Sequence, residues 1–265
     1  MEQPENSKSI FRDRRTKRII ITLVAAVSVL FILLVLQRMH SKEQMAAFEA
    51  VKHVKSNMVL GLGTGSTTKY ALKEIGRLYK EKELENIVGI PSSVQTETLA
   101  KKYGIPLSTI NDHPRIDLTI DGADEVDKYL NLIKGGGGAL LREKVIAQNS
   151  KKNIIIIDES KLSNRLGEKW AVPVEVLEFA LESERIYLEE LGASVKLRLD
   201  SNGNPYATDE GNRILDADFR IIHNPFELDI KLSSRAGIVE HGLFIHLATK
   251  IIIASKQGLK FIEKN

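Results

Sequence analysis

Carboxylates and one lysine flank a run of glycines in the middle of the chain. Asp121 and Asp124 lie in the segment DGADEVD, and Lys134 opens the segment KGGGGALLREK. Acidic side chains in such a turn suit sugar hydroxyls or a metal ion, and a solvated acidic loop is the simpler alternative. Four consecutive glycines cost conformational entropy, which favours a backbone that closely approaches a ligand. Glu143 follows in the first turns of a predicted helix, where a carboxylate is a candidate general base or, more simply, stabilises the helix dipole.

A glycine-rich turn, GLGTGSTT over residues 61–68, lies between a predicted strand and a predicted helix. Its backbone can approach an anion, and the unpaired amides of the helix N-terminus can bind a phosphate together with the hydroxyls. A tight turn with a Ser or Thr cap is the alternative. The spacing G-x-G-x-G differs from the G-x-G-x-x-G of dinucleotide folds, and the chain has no Gly-Lys-Ser/Thr of a P-loop. The turn therefore predicts a phosphate site, whose candidate contacts are Thr64, Gly65, Ser66 and Thr67.

Strands alternate with helices around these motifs. Apolar runs at 58–62, 87–90, 116–120 and 153–157 predict strands, and helical spacing predicts helices at 45–55, 66–80, 94–103 and 139–149. This alternation predicts an α/β fold with a Rossmann-like parallel sheet. Ligands of such sheets bind beyond the carboxyl ends of the strands. Gly63, Ser92, Asp121 and Asp158 lie at or just beyond such ends. Lys161, shortly after Asp158, is a candidate for a second anion contact, although taken alone it is a weak signal.

The pattern changes at about residue 173. We expect a catalytic Rossmann-like domain over 45–172 and a smaller α+β domain over 173–242. A final strand near 242–248 is expected to rejoin the main sheet, so that 243–265 complete the first domain.

Composition excludes several classes of site. The chain has 265 residues and no cysteine, which excludes disulfides, thiolate metal sites and a cysteine nucleophile. None of its six histidines has ligand spacing with the acidic cluster, so no metal is predicted. The formal net charge of +3 is too small for the length to indicate a nucleic-acid partner.

The N-terminal segment has a separate character. Residues 19–36 are 18 uncharged, mostly apolar residues, long enough to predict a transmembrane or signal-anchor helix after a basic cytoplasmic tail at 1–18 and before a linker at 37–44. Residues 1–42 hold eight basic and three acidic side chains, which gives them a net charge of +5 and leaves −2 on the rest. The charge rule places the globular part outside. A cleaved signal peptide and a buried core helix are the alternatives.

Several long motifs together resemble those of ribose-5-phosphate isomerases of the A type. The resemblance runs from about residue 45 to the C-terminus through GLGTGSTT, DGADEVD, LIKGGGGALLREK, DESK, PVEV, TDEGN and GIVEHGLF. It implies interconversion of ribose 5-phosphate and ribulose 5-phosphate through an enediolate, without a metal or organic cofactor. It also implies a Rossmann-like domain with a smaller α/β domain, assembled as a homodimer or tetramer.

The resemblance assigns roles to individual residues. Glu143 matches the base, Asp121 and Asp124 match acids near the sugar hydroxyls, and Lys134 matches the segment that holds the oxyanion. The expected substrate contacts are Thr64, Gly65, Ser66, Thr67, Gly122, Ala123, Gly135, Gly136, Gly137 and Lys161.

Two features depart from the family pattern. Many members have adjacent lysines before the first strand, whereas this chain has Lys42 followed by Glu43, so that Glu43 takes the place of a phosphate-binding lysine. Arg235-Ala236-Gly237 stands where a Pro-Gly turn is common.

Other functions fit the same pocket. A membrane-tethered protein that binds or senses a sugar phosphate without turnover is one alternative, and a hexosamine-phosphate or CoA-transfer relative is another. The predicted location is a membrane anchored by the N-terminal helix; a cytoplasmic or organellar enzyme that has lost its leader is the alternative.

Overall fold

The computed structural model describes residues 20–22, 24 and 42–264. Residues 20–22 and 24 are helical, and most of the predicted membrane segment 19–36, like the tail at 1–18, lies outside the described residues. Within the described part of the chain, no helix is both long and apolar enough to cross a bilayer. Residues 42–265 form one compact unit, on which the functional site is built.

The main sheet is mixed and has six strands in the order β13-β12-β6-β3-β1-β2. All neighbours pair in parallel except β13, which is antiparallel to β12. The strands are β1 (Val59–Leu62), β2 (Val88–Pro91), β3 (Leu118–Asp121), β6 (Asn153–Asp158), β12 (Lys250–Ser255) and β13 (Gly258–Glu263). The helix α1 (42–51) precedes β1, and the helices between the strands are α2 (Thr68–Lys80), α3 (Val94–Tyr103) and α4 (Leu140–Gln148). The predicted α/β fold is confirmed.

Both faces of the central strands are buried. The four consecutive isoleucines 154–157 of β6 are almost fully buried, two in the cluster that contains α2 and two in a cluster with Phe244 on the other face. A strand covered on both sides must be apolar at every position, because successive side chains point to opposite faces. This explains why β6 is a continuous run of isoleucine instead of an alternating pattern.

A second sheet is antiparallel, with the order β10-β7-β9-β8. Its strands are β7 (Val172–Val176), β8 (Ser194–Leu197), β9 (Arg213–Asp218) and β10 (Ile238–His241), accompanied by α5 (Leu181–Glu190) and α6 (Pro225–Ser233). Val172, Val174 and Val176 are fully buried in a core of their own. Except for Val172, the residues of this sheet fall inside the predicted smaller domain at 173–242, whose boundaries stay a prediction.

Three short strands form a third sheet, in the order β11-β5-β4, that the sequence did not predict. They are β4 (Glu125–Val126), β5 (Leu132–Ile133) and β11 (Leu243–Phe244). The strand expected near 242–248 to rejoin the main sheet was therefore wrongly placed. It ends after Phe244, because His246 has a left-handed φ of 57°, and β12 is the strand that pairs with β6. Lys134 follows β5 directly, and its amide donates to Gly242 O at 2.9 Å.

Candidate active site

Asp121, Lys134 and Glu143 meet in one buried cluster. Asp121 ends β3, Lys134 follows β5, and Glu143 lies in α4. Lys134 Nζ is 3.1 Å from Asp121 Oδ2 and 3.2 Å from Glu143 Oε1. The three residues are only 3 %, 3 % and 4 % exposed. Two carboxylates therefore share one ammonium group almost out of contact with water.

The two carboxylates differ in the donors that they receive. Asp121 Oδ1 accepts the amides of Thr64 at 3.1 Å and Gly122 at 2.7 Å, besides the contact of Oδ2 with Lys134. Glu143 is close to the ammonium group through Oε1, while Oε2 is buried with no hydrogen-bond partner among the described residues. Hydrogen bonds to a carboxylate favour its charged form. Burial also raises the pKa of Asp121, against the effect of the Lys134 ammonium and of these two amides. Glu143 has no such amide donors among the described residues, and its Oε2 is the carboxylate oxygen that is left without a partner there.

Burial is the largest single influence on the pKa values of Glu143 and Lys134. It raises the pKa of Glu143 to about 8, with a further contribution from the negative charge of Asp121 and against the effect of the Lys134 ammonium. Burial alone would lower the pKa of Lys134, but the neighbouring carboxylates outweigh it and the pKa is raised, so Lys134 stays protonated. A carboxylate whose pKa lies near neutral pH can both accept and return a proton, which is what a general base in an isomerisation needs.

The glycine-rich turn between β1 and α2 approaches this cluster very closely. A Cβ atom on Gly63 would lie 2.2 Å from Asp121 Oδ1, so only glycine fits there. Thr64 contacts the hydroxyl groups of three residues behind the turn at 2.8–2.9 Å, which are Ser92, Ser93 and Thr96. Gly65 has a left-handed φ of 135°. The turn is thereby fixed beside Asp121, with the N-terminus of α2 at its other end.

The glycine run that follows Lys134 is joined to the second acidic residue. The Gly136 amide donates to Asp124 Oδ2 at 2.7 Å, and a Cβ atom on Gly136 would lie 2.7 Å from Asp124 Oδ1. Gly135 and Gly138 have left-handed φ values of 95° and 83°. Glycine is needed at these positions because side chains would be strained or would displace the carboxylate. The predicted close approach of the backbone is thus directed at Asp124 as well as at the cleft.

These elements enclose one cleft of about 350 Å³. Every predicted site residue except Asp121 lines it, namely Thr64, Gly65, Ser66, Thr67, Gly122, Ala123, Asp124, Lys134, Gly135, Gly136, Gly137, Glu143 and Lys161. Asp121 lies beside the cleft and acts on it through Lys134 and the amide of Thr64. The volume is that of a small-molecule site near the lower end of the usual range. Residues that are 97 positions apart in the chain, from Thr64 to Lys161, are therefore brought together.

Three charged residues line the cleft besides Asp124, Lys134 and Glu143. Lys161 follows β6, and its Nζ lies 5.1 Å from the centre of the Trp170 ring. Glu43, on the helix at residues 42–51, also lines the cleft, as expected from its place in the sequence. Asp158, at the end of β6, lines the cleft as well, so that these residues are one cation and two anions.

Several residues that line the cleft or contact its backbone were not predicted from the sequence. Thr68 and the main-sheet residues Ile156 and Ile157 line the cleft, and Arg198 holds the glycine run from outside. Thr68 continues the Thr/Ser series of the turn and could have been included. Arg198 carried no local signal, because its partners lie more than 60 residues earlier in the chain.

The sequence of the chain is similar to those of known proteins. The family model for ribose 5-phosphate isomerase A (phosphoriboisomerase A) matches residues 88–258, more than half of the chain. The chain belongs to the ribose 5-phosphate isomerase A family. Its relatives include the ribose-5-phosphate isomerase A of Desulfatibacillum aliphaticivorans, which is 54 % identical over 218 residues, 82 % of this chain and 95 % of the relative. A probable chloroplastic ribose-5-phosphate isomerase 3 of Arabidopsis thaliana is 46 % identical over 84 % of this chain and 83 % of its own length.

Solved structures of the ribose 5-phosphate isomerase A family have the same fold. The ribose 5-phosphate isomerase of Plasmodium falciparum superposes with a TM-score of 0.82 at 42 % identity, covering 85 % of this chain and 99 % of that one. A D-ribose-5-phosphate isomerase in complex with phospho-erythronic acid has a TM-score of 0.83 at 40 % identity, again over 85 % and 99 %. The ligand of that relative is a phosphorylated sugar acid.

Proposed function

We propose that the protein interconverts D-ribose 5-phosphate and D-ribulose 5-phosphate at this cleft. It is an aldose–ketose isomerase, and the observation that carries this function is the position of Glu143. Its carboxylate is buried, has one oxygen without a partner among the described residues, lines the cleft and lies beside a charged lysine. No observation favours a binding protein without turnover, which would not need a base of this kind.

The reaction moves one proton between neighbouring carbons. In the open-chain aldose, Glu143 removes the proton from C2, and the electron pair forms the C1–C2 double bond of an enediolate. The carbonyl oxygen at C1 becomes negatively charged and takes up a proton, which is balanced by the one that the C2 hydroxyl loses. Return of the proton from Glu143 to C1, with loss of the hydroxyl proton at C2, gives the ketose. Atoms and electrons balance within the sugar, so Glu143 ends the cycle ionised as it began.

Lys134 and the glycine run are assigned to the negative charge that develops on the sugar oxygens. Lys134 stays protonated, donates to Gly122 O at 2.7 Å and is held between two carboxylates, so its position is set before substrate enters. Preorganised donors of this kind stabilise an oxyanion because they need not reorient during the reaction. Asp121 orients Lys134, and Asp124 is assigned to the sugar hydroxyl groups and to ring opening.

The phosphoryl group is assigned to the other end of the cleft. Thr64, Gly65, Ser66 and Thr67 lead into the N-terminus of α2, and Lys161 lines the same cleft. Amides of a helix N-terminus and an ammonium group both favour a dianion. Binding of the phosphoryl group supplies energy remote from the reacting carbons, which holds C1 and C2 against Glu143.

Proton exchange with solvent tests the function directly. The purified protein is incubated with ribose 5-phosphate in D2O, with EDTA present, and the ketose formed is examined by NMR. We expect deuterium at C1 of the ribulose 5-phosphate and a loss of turnover of about 10²–10⁴-fold in Glu143→Gln, with substrate binding retained. The matched control is Glu49→Gln, which makes the same exchange at a residue that pairs with Lys52 and does not line the cleft. Turnover of Glu143→Gln near that of the unaltered protein would remove Glu143 as the base.

Assembly and location extend the proposal. We infer a homo-oligomer, a dimer or tetramer, which light scattering of the full chain measures. The N-terminal helix is proposed as a membrane anchor, and protease protection in sealed vesicles tells on which side the catalytic unit lies. N-terminal sequencing of the native protein separates this anchor from the alternative of a cleaved leader and a cytoplasmic or organellar enzyme.

A further inference from the structure

Arg198 connects the antiparallel sheet to the glycine run of the active site. It lies directly after β8, and its side chain is only 14 % exposed. Its Nη1 donates to Gly135 O at 2.7 Å and to Gly136 O at 3.1 Å. The rest of the guanidinium group pairs with both carboxylate oxygens of Asp216 on β9, including Nε to Oδ2 at 3.0 Å. These contacts of the guanidinium group with two carbonyl oxygens and one carboxylate fix the Arg198 side chain in position.

The two carbonyl groups belong to peptide groups with N–H donors in the active site. Gly135 O shares its peptide group with the Gly136 amide, which donates to Asp124 Oδ2 at 2.7 Å. Gly136 O shares its peptide group with the Gly137 amide. Gly137 lines the cleft, and its amide has no acceptor within the described part of the chain. Of these two N–H groups, the Gly137 amide at the cleft is therefore the one without an acceptor among the described residues.

A cation on a carbonyl oxygen strengthens the N–H group of the same peptide. Hydrogen bonds in a chain polarise one another, and the effect is greatest where the group is charged and the local dielectric constant is low. Arg198 therefore acts on the Gly137 amide in two ways. It fixes the orientation of the peptide plane, and it increases the partial positive charge on the N–H group.

Arg198 makes one of several contacts that hold the glycine turn. Within the run, Gly135 O also accepts the Gly138 amide at 2.9 Å, and Tyr206 donates its hydroxyl to Gly137 O at 3.3 Å. Glycine has the largest backbone freedom of any residue, so four in a row need external contacts to hold one conformation. Among the contacts of the run with the described residues, Arg198 brings a positive charge to the carbonyl side, and Asp124 brings a negative charge to the Gly136 amide.

We propose that Arg198 is a positioning residue of the isomerase reaction, which holds and polarises the peptide groups of Gly135, Gly136 and Gly137 so that the Gly137 amide stabilises the enediolate oxyanion. The proposal rests on the proposed function. It assigns to the antiparallel sheet a part in catalysis that does not require any of its side chains to touch the substrate.

The proposal separates two classes of ligand. A phosphorylated four-carbon aldonic acid has a carboxylate where the enediolate carries its charge, whereas the phosphorylated alditol of the same length has a neutral hydroxyl group there. Weakening the Gly137 donor should reduce the affinity for the aldonate and leave that for the alditol unchanged. A general loosening of the cleft would weaken both ligands alike.

The variants are Arg198→Met and Arg198→Lys, with Arg235→Met as the matched control. Arg235 makes a comparable bidentate pair with the buried Glu184, at 2.9 and 3.0 Å, but does not contact the glycine run. For Arg198→Met we expect kcat to fall about tenfold with KM within about twofold, below the 10²–10³-fold cost of deleting an oxyanion donor itself because the effect is indirect. The dissociation constant of the aldonate should rise about tenfold and that of the alditol should not change.

The lysine variant provides the rescue. An ammonium group can donate to one of the two carbonyls, so Arg198→Lys should recover part of kcat and of the affinity for the aldonate. Isothermal calorimetry with both ligands, steady-state rates and the thermal midpoint are measured for each protein. The role of Arg198 would be overturned by an equal loss of affinity for both ligands or by a change confined to KM. It would also be overturned if Arg235→Met lost as much kcat and as much affinity for the aldonate. Absence of turnover in the unaltered protein would instead refute the proposed function.

Discussion

The acidic limb of the pH–rate profile should move to lower pH when Asp121 is replaced by Asn. Glu143 must be ionised to remove a proton, and its pKa is raised to about 8. The value of kcat/KM for the unaltered protein should therefore rise about tenfold per pH unit and level off near pH 8. Asp121→Asn removes a negative charge that opposes ionisation of Glu143. The Glu143 carboxylate then forms at lower pH, and the acidic limb of the profile moves to lower pH.

The size of the shift follows from the positions of the two carboxylates. Since Lys134 Nζ lies 3.1 Å from Asp121 Oδ2 and 3.2 Å from Glu143 Oε1, these oxygens are at most about 6.3 Å apart. At an effective dielectric constant of about 20, two unit charges at about 6.3 Å repel by about 2.6 kcal/mol. This energy corresponds to a change of about two in the pKa. A neutral Asn amide would also attract the Lys134 ammonium group less than the Asp121 carboxylate does. The ammonium group would then interact more strongly with Glu143, which lowers the pKa of Glu143 further.

The assay is the rate of ketose formation from ribose 5-phosphate between pH 5 and 10. The phosphoryl group of the substrate also ionises near pH 6, but it does so for both proteins and cancels in the ratio of their rates. Asp124→Asn is the graded comparison, because Asp124 raises the pKa of Glu143 less than Asp121 does. Carbon-13 NMR of the Glu143 carboxyl, assigned with Glu143→Gln, gives the pKa without turnover. A midpoint for Asp121→Asn that stays near 8 or rises would show that Asp121 is not the neighbouring charge, and the reasoning would fail.

Two further variants test the ends of the cleft. Lys134→Ala should lower kcat by about 10²–10³-fold and change KM little, because the ammonium group stabilises the oxyanion and not the bound ground state. Steady-state rates measure this, with Lys151→Ala, which loses only a surface pair with Asp117, as the control. An effect on KM alone would contradict the prediction. Glu43→Gln should lower KM for ribose 5-phosphate about three- to tenfold, because it removes an anion from a cleft that binds a dianion. Glu49→Gln on the same helix should leave KM unchanged, and an unchanged or higher KM in Glu43→Gln would show that Glu43 does not face the phosphoryl group.

The parallel sheet and the cleft could be predicted because their signals are local. A strand of buried isoleucines, a glycine turn and a carboxylate early in a helix each lie within about ten residues of sequence. The expected helix at 94–103 is α3 (Val94–Tyr103). Parallel strands bring their carboxyl ends to one edge, so Thr64, Asp121 and Lys161 could be expected together without knowledge of the contacts.

The features that could not be predicted from the sequence depend on contacts between distant segments of the chain. β4 and β5 have two residues each, too short to give a periodic pattern, and exist because β11 adds to them from more than 100 residues later. The apolar segment GLFIHLA resembles a strand throughout, yet His246 turns the chain and only Leu243–Phe244 pairs. The pKa of Glu143 was equally out of reach, since it results from burial by elements that the sequence does not show to be neighbours.

The order of strands along the chain has a consequence for synthesis on the ribosome. β6 pairs with β12, from Ile154 with Lys250 to Asp158 with Ala254, although almost a hundred residues separate them. While the antiparallel sheet is being made, the isoleucines of β6 form an open edge, which is the kind of strand that joins other chains. The residues of the base and its lysine leave the ribosome early, but the sheet beneath them closes only when the last strands arrive. A nascent or truncated chain that stops before β12 is therefore a candidate for chaperone binding and aggregation.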